Sequence, residues 1–304
     1  MEGHHYGSVV ALAPDGSVEW SIGDVESQIL PRSCNKPIQA AGMVEAGLDL
    51  EGELLALASA SHSGEPFHLD GVRRILAGAG LDESALQTPP DYPLDDEARE
   101  AVIRSGEGRS SIAMNCSGKH AAMLATCVAN GWDIASYLTV VHPLQQAIRQ
   151  TFENLTGEPV EVVAVDGCGA PLLSTSLTGL ARAFRSMSLA TDGPGCKVAE
   201  AIRAHPEFTS GSRRDELALL RAVPGMIGKA GAESCYAVGL PDGRAIALKT
   251  DDGAARVRPV LMAAALERLG VLADEHVDAG AVRGTGEVLL HGGGEVVGCL
   301  RATF

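Results

Sequence analysis

A chain of 304 residues, 45% of them hydrophobic, can bury a substantial core in one large or two smaller domains. Its net charge of −15 argues against nucleic acid or an anionic membrane as a partner. No apolar run is long enough to span a bilayer, Met1-Glu2-Gly3-His4-His5 carries no basic and apolar signal region, and seven scattered cysteines do not look like a disulfide framework, so a cytoplasmic protein is expected.

Residues 7–13 and 17–22, separated by Pro14-Asp15-Gly16, read as a hairpin. Pro31-Arg32-Ser33-Cys34-Asn35-Lys36-Pro37 then opens a helix-spaced segment marked by Ile38, Met43 and Val44 and ended by Gly47. The Ser33 to Lys36 spacing puts a hydroxyl and an amine on one side of a single helical turn, which suits a nucleophile and its base. The amine can act as a base only if burial or neighbouring cations lower its pKa, and Arg32 and Lys229 are the candidates to crowd it. Pro37 disfavours the α region at Lys36. The plain alternative makes Ser33 an N-cap and Lys36 a solvated first-turn lysine.

Residues 54–60 form a small apolar segment running into Ser61-His62-Ser63-Gly64-Glu65-Pro66, either an active-site loop or an ordinary turn before the next helix. The proline-rich acidic stretch 88–97 is the best candidate for a boundary between lobes. Asn115-Cys116-Ser117-Gly118-Lys119-His120 enters an Ala- and Met-rich helix whose first N–H groups could face an oxyanion, a carboxylate or a metal. A strand over 160–165 ends in Asp166-Gly167-Cys168-Gly169-Ala170-Pro171, a tight turn. Cys116 and Cys168 are nucleophiles, metal ligands or small buried apolar residues.

Helices are expected over 172–183 and 197–204. The glycine-rich lysine loop 225–233 lacks phosphate-loop spacing. A second hairpin over 235–249, a helix over 254–269 and a third hairpin over 287–302 complete the chain. The expected fold class is α+β. The N- and C-terminal hairpins form one antiparallel sheet, about 1–32 and 225–304, packed with helices beside a helical lobe, about 33–224, in a single catalytic unit.

The order of parts resembles serine β-lactamases and penicillin-binding proteins, with Ser33-Lys36, Ser61-His62-Ser63 and Lys229-Ala230-Gly231 as degenerate versions of their three elements. A closer resemblance, over nearly the whole chain, is to the class 3 L-asparaginase family. It rests on six ordered blocks: Arg32-Ser33 with Lys36-Pro37, Ser61 to Glu65, Asn115 to His120, Asp166 to Pro171, Lys229, and Lys249 with Asp252-Gly253. That resemblance implies catalytic pairs Ser33 with Lys36 and Ser61 with Lys229. It also implies a zinc ion on Cys116, Lys119, Cys168 and water, with Asp166 beside the metal, and substrate contacts from Arg32, His62, Lys119 and Asp166. L-asparagine is the implied substrate and a homodimer the implied assembly. Glutaminase or penicillin-type acyl-serine hydrolysis is the rival chemistry, and a non-catalytic zinc-binding module the rival class.

Overall fold

The computed structural model describes residues 2–304. The chain begins with β1 (Gly7–Leu12) and β2 (Val18–Ile22). Six helices follow: α1 (Lys36–Glu45), α2 (Gly52–Ala58), α3 (Pro66–Gly78), α4 (Asp96–Arg104), α5 (Ser117–Asn130) and α6 (Pro143–Thr156). A short ribbon of β3 (Val163–Val165) and β4 (Pro171–Leu173) precedes α7 (Leu177–Leu189), α8 (Gly193–Ala204), α9 (Pro206–Thr209) and α10 (Asp215–Ala222). The chain closes with β5 (Ile227–Gly231), β6 (Cys235–Gly239), β7 (Ala245–Thr250), α11 (Arg258–Arg268), α12 (Ala279–Thr285), β8 (Leu289–Gly292) and β9 (Glu295–Cys299).

Five strands make one antiparallel sheet in the order β2-β1-β7-β6-β5, with Val9 opposite Leu248 where the two ends of the chain meet. Buried Val9, Val10, Ala11, Leu12, Ala237, Val238, Ile246 and Leu248 give its strands apolar faces on both sides. Helix α7, from the middle of the chain, packs on β1, β6 and β7, and α11 packs against β7 and β6. No described helix is long and apolar enough to cross a membrane.

The expected α+β class with an antiparallel sheet holds, and four local readings change. The third hairpin, β8–β9, stays a separate two-stranded sheet. Leu289, Val296 and Val297 are exposed, so the hairpin has no continuous apolar face to lay on the core. Residues 54–58 belong to α2, whose Leu55, Ala56, Leu57 and Ala58 are all buried, leaving no polar stripe to reveal a helical period. The helix expected over 172–183 begins only at Leu177, where Ser176 Oγ accepts the Gly179 N–H. Pro171, Leu172 and Leu173 fold back instead as β4. The glycine-rich segment around Lys229 is strand β5, fully buried. The stretch 88–97 packs against the Ser61 loop, with the Asp95 N–H donating to Ser63 O at 2.9 Å.

Candidate active site

Ser33 lies in the 3-10 turn Arg32–Asn35, which leads directly into α1. Arg32 just before it takes φ 51°, a left-handed conformation that costs a non-glycine residue about 1–2 kcal/mol. Tertiary contacts hold that backbone. Arg32 Nε donates to Asp166 Oδ1 at 2.8 Å, Nη1 lies 3.7 Å from Glu233 Oε1, and Cys34 Sγ donates to Lys229 O at 3.1 Å. A Cβ on Gly231 would stand 3.0 Å from Pro31 O and 3.1 Å from Cys34 N, so glycine there lets the turn lie flat on β5. The Ser33 side chain is left half-buried at the helix start, with no hydrogen bond to its hydroxyl among the described residues.

Lys36 is fully buried and, despite Pro37, helical at φ −61° and ψ −39°. Its amine repays that conformation by donating to Ala60 O at 2.6 Å, Ser61 Oγ at 2.9 Å and Cys116 Sγ at 3.0 Å. The hydrogen bond therefore joins Lys36 to Ser61 rather than to Ser33. The reason is directional: from the first turn of α1 the long side chain runs into the core, where three acceptors converge, instead of curling along its own helix.

The expected Ser61 to Lys229 pair is likewise replaced. Lys229, fully buried on β5, donates to Glu216 Oε1 at 2.7 Å and to Ala230 O at 2.7 Å. Burial pushes the Lys229 pKa below that of a free lysine, with Glu216 opposing the shift and Arg214 and Lys36 adding to it. Burial acts to raise the Glu216 carboxyl, but Lys229, Arg214 and Arg258 hold it well below the usual range. The two partners thus point different ways. We read the pair as charged, because the carboxylate collects three donors: Lys229 Nζ, the Ala230 N–H at 2.9 Å and Arg214 Nη2 at 2.5 Å.

A sulfur-rich group adjoins Lys36 through its 3.0 Å bond to Cys116 Sγ. Cys116 Sγ, Cys168 Sγ and a carboxylate oxygen of Asp166 all fall within 4.8 Å of one another, close enough to share one metal ion. Lys119 Nζ donates to Cys168 Sγ at 3.2 Å, and Cys168 Sγ is 3.6 Å from Asp166 Oδ2. Contact with Cys116 pulls the Cys168 thiol pKa far down against burial, aided by Lys119 and His120. Burial works to lower Lys119, but Cys168, Cys116 and Asp166 leave it raised. His120 Nδ1 meets Tyr137 OH at 2.7 Å, and its Nε2 is buried with no hydrogen-bond partner among the described residues. Helix α5 can bring this group forward because Gly118 abuts α2, where a Cβ would meet Leu57 O at 2.7 Å.

His62 is fully buried with both nitrogens engaged inside the protein. Nδ1 accepts the Gly64 N–H at 3.1 Å, so Nε2 carries the proton toward Ser117 Oγ at 2.8 Å, and Ser117 in turn donates to Ile112 O at 2.7 Å. This network fixes the Ser61 loop to the start of α5 and leaves His62 no ring nitrogen for a substrate, contrary to the expected contact.

His68 stacks beside His62 with ring centroids 5.2 Å apart, and its Nε2 donates to Glu207 O at 3.1 Å. Burial lowers the His68 pKa to about 4; the Glu207 carbonyl, Glu65 and Asp95 oppose the shift and Arg214 adds to it. A histidine held neutral in the fold binds its proton more readily when unfolded. Stability is therefore complete above pH 6.5, the ordinary histidine value, and falls as pH drops toward about 4. The expected loss from this group is about 3 kcal/mol, with His62 contributing in the same direction. Urea midpoints at pH 7.5 and 4.5, compared with those of His68→Gln, check this. An equal pH dependence in wild type and variant would refute it.

A cleft of about 690 Å³ lies elsewhere, among Tyr6, Val9, Arg256, Leu290 and Phe304, and contains none of these groups. The sequence reading missed Glu216 and Tyr137, and gave His120, the last residue of its Asn115 block, no role of its own. Glu216 follows Asp215 in a first helical turn, where acidic residues are common, so nothing local set it apart.

A strained turn carrying a serine, three buried lysines and a bithiol group belong here to a hydrolase acting on amides. The chain belongs to the L-asparaginase II family, whose model matches residues 1–302, in agreement with the six sequence blocks. No curated protein matches the chain. Among solved structures it is similar to a β-lactamase from Mycobacterium bovis, at 15% identity over 82% of this chain and 88% of that one, with TM-score 0.44. It is also similar to EstCE1, a hydrolase with promiscuous acyltransferase activity, at 13% identity over 94% of each chain and TM-score 0.45. A third, Mglu in its tris and glutamate form, is 14% identical over 82% of this chain and 55% of that one, with TM-score 0.34.

Proposed function

We propose that the protein is an L-asparaginase, a single catalytic unit that hydrolyses the side-chain amide of L-asparagine through Ser33. The observation that carries this reading is the converging set of Lys36 bonds, which ties Ser61, Cys116 and the start of α1, directly after the Ser33 turn, into one buried centre. Ser33 Oγ attacks the carboxamide carbon and its proton passes to the Lys36–Ser61 pair, with Lys36 neutral at that point and accepting from the Ser61 hydroxyl; the pair returns the proton to the amide nitrogen, which leaves as ammonia, and water then releases aspartate from the acyl-enzyme. Arg32, fixed by Asp166, faces the same turn and offers its remaining N–H groups to the amino acid's carboxylate.

Zinc fits the donor set of Cys116, Cys168 and Asp166, two thiols and a carboxylate in reach of one ion. Lys119 joins as a ligand only by giving up its ammonium proton, as the family resemblance requires. A bound zinc supplies positive charge that orients the polar end of the substrate. A homodimer remains part of the same reading.

The direct test is ammonia release from L-asparagine and L-glutamine measured beside hydrolysis of a chromogenic β-lactam. Turnover of asparagine at least about tenfold above the other two is expected. β-Lactam turnover without ammonia would move the protein to the penicillin-type hydrolases, and inactivity on all three, with unfolding on chelation, to the binding-module reading.

A further inference from the structure

Glu216 takes no part in the reaction just described, yet its carboxylate is almost completely buried and directly contacts Lys229. Its position follows from two elements. Helix α10 begins at Asp215 and puts Glu216 in its first turn, and β5 is the outermost strand of the sheet, with an unpaired backbone edge. Glu216 Oε1 accepts both from Lys229 Nζ at 2.7 Å and from the Ala230 N–H at 2.9 Å, so the carboxylate occupies the β5 edge and draws the lysine toward it. Oε2 receives Arg214 Nη2 at 2.5 Å.

Lys229 in turn gives a second proton to Ala230 O at 2.7 Å. Both hydrogen bonds use N–H groups of the amine, and the 2.7 Å contact with a buried carboxylate that already collects two further donors favours its ammonium form. The charged groups that act on Lys229 are Glu216 from α10, Arg214 from the segment before it and Lys36 from α1; those acting on Glu216 are Lys229, Arg214 and Arg258 from α11. Glu216 is the one anion acting on Lys229 among these, and it stands against two cations and burial.

We propose that Glu216 is a positioning residue that holds Lys229 at the β5 edge as a permanent cation. Lys229 then serves the site as fixed positive charge and not as proton acceptor. The inference rests on the Ser33 reading only for its catalytic meaning; the charge state itself is independent of it. Removing the carboxylate leaves Lys229 buried beside Arg214 and Lys36 with nothing to offset desolvation, so its proton becomes easier to lose.

The test follows Lys229 directly in the whole enzyme by NMR of 13Cε-labelled lysine, with its resonance assigned through Lys229→Arg. In wild type the resonance is expected to remain that of an ammonium throughout the neutral range. In Glu216→Gln its titration moves down by about two pH units, and Glu216→Asp, which keeps the charge, restores most of the difference. The alkaline limb of the kcat/KM profile for asparagine is expected to move with it, whereas a purely structural role would lower activity at all pH values alike. A Lys229 already neutral at pH 7 in wild type, or one that titrates identically in Glu216→Gln, overturns the proposal. Should Glu216→Gln not fold, the wild-type titration alone decides. Wild-type enzyme that releases no ammonia would remove the asparaginase reading and leave the charge state of Lys229, as read by NMR, unaffected.

Discussion

Ser33→Ala is expected to lower ammonia release from L-asparagine by at least about 1000-fold while leaving the fold intact, because loss of a nucleophile removes the covalent route altogether. The structural cost is small. The Ser33 side chain is only half-buried and its hydroxyl has no hydrogen-bond partner among the described residues, so stability should change by no more than about 0.5 kcal/mol. Ser61→Ala is the informative contrast. Ser61 is 6% exposed and accepts from Lys36 at 2.9 Å, so its removal leaves a buried amine short of one acceptor. That variant should lose both activity and about 1–3 kcal/mol of stability. Circular dichroism, urea denaturation and initial rates on the two variants separate the roles. If Ser33→Ala kept substantial turnover while Ser61→Ala lost all of it, the nucleophile would be Ser61, and Ser33 only the start of a helix.

Cys168→Ser carries the second large effect, and it falls on metal content and stability together. Cys168 is fully buried, receives Lys119 Nζ at 3.2 Å and lies 3.6 Å from Asp166 Oδ2. A serine hydroxyl at neutral pH offers neither the charge nor the softness of a thiolate, so zinc affinity should fall by at least about 100-fold. Without metal the Lys119 ammonium then lies buried without its nearest anion, an arrangement that costs about 3–5 kcal/mol. Zinc per chain by atomic emission, together with the thermal midpoint, reads both quantities. A variant that retains one zinc per chain at wild-type affinity would exclude Cys168 as a ligand.

The parts of this site differ in how much their own sequence reveals. Hairpin β1–β2 could be read because alternation around Pro14-Asp15-Gly16 is a local signal, and α1 because apolar spacing and Gly47 mark its course. The chemistry-bearing residues could be singled out for a similar reason: Ser33, Lys36, Ser61, Cys116, Lys119, Cys168 and Lys229 all occur in short stretches of unusual composition. Buried helix α2 and strand β5 resisted the same method, since segments buried on every side show no polar face and hence no period.

The identity of the family and of most of the residues that crowd its centre was thus written in the chain itself, because residue types and short spacings survive without any fold. Which amine meets which acceptor was decided only in three dimensions. Lys36 reaches Ser61 across 25 positions, Lys229 reaches Glu216 across 13, and Arg32 reaches Asp166 across 134. Such partnerships depend on where α1, β5, α10 and the β3–β4 turn cross in the packed molecule. A buried lysine takes whatever acceptors the core brings within its reach, and spacing along one helical turn cannot specify them.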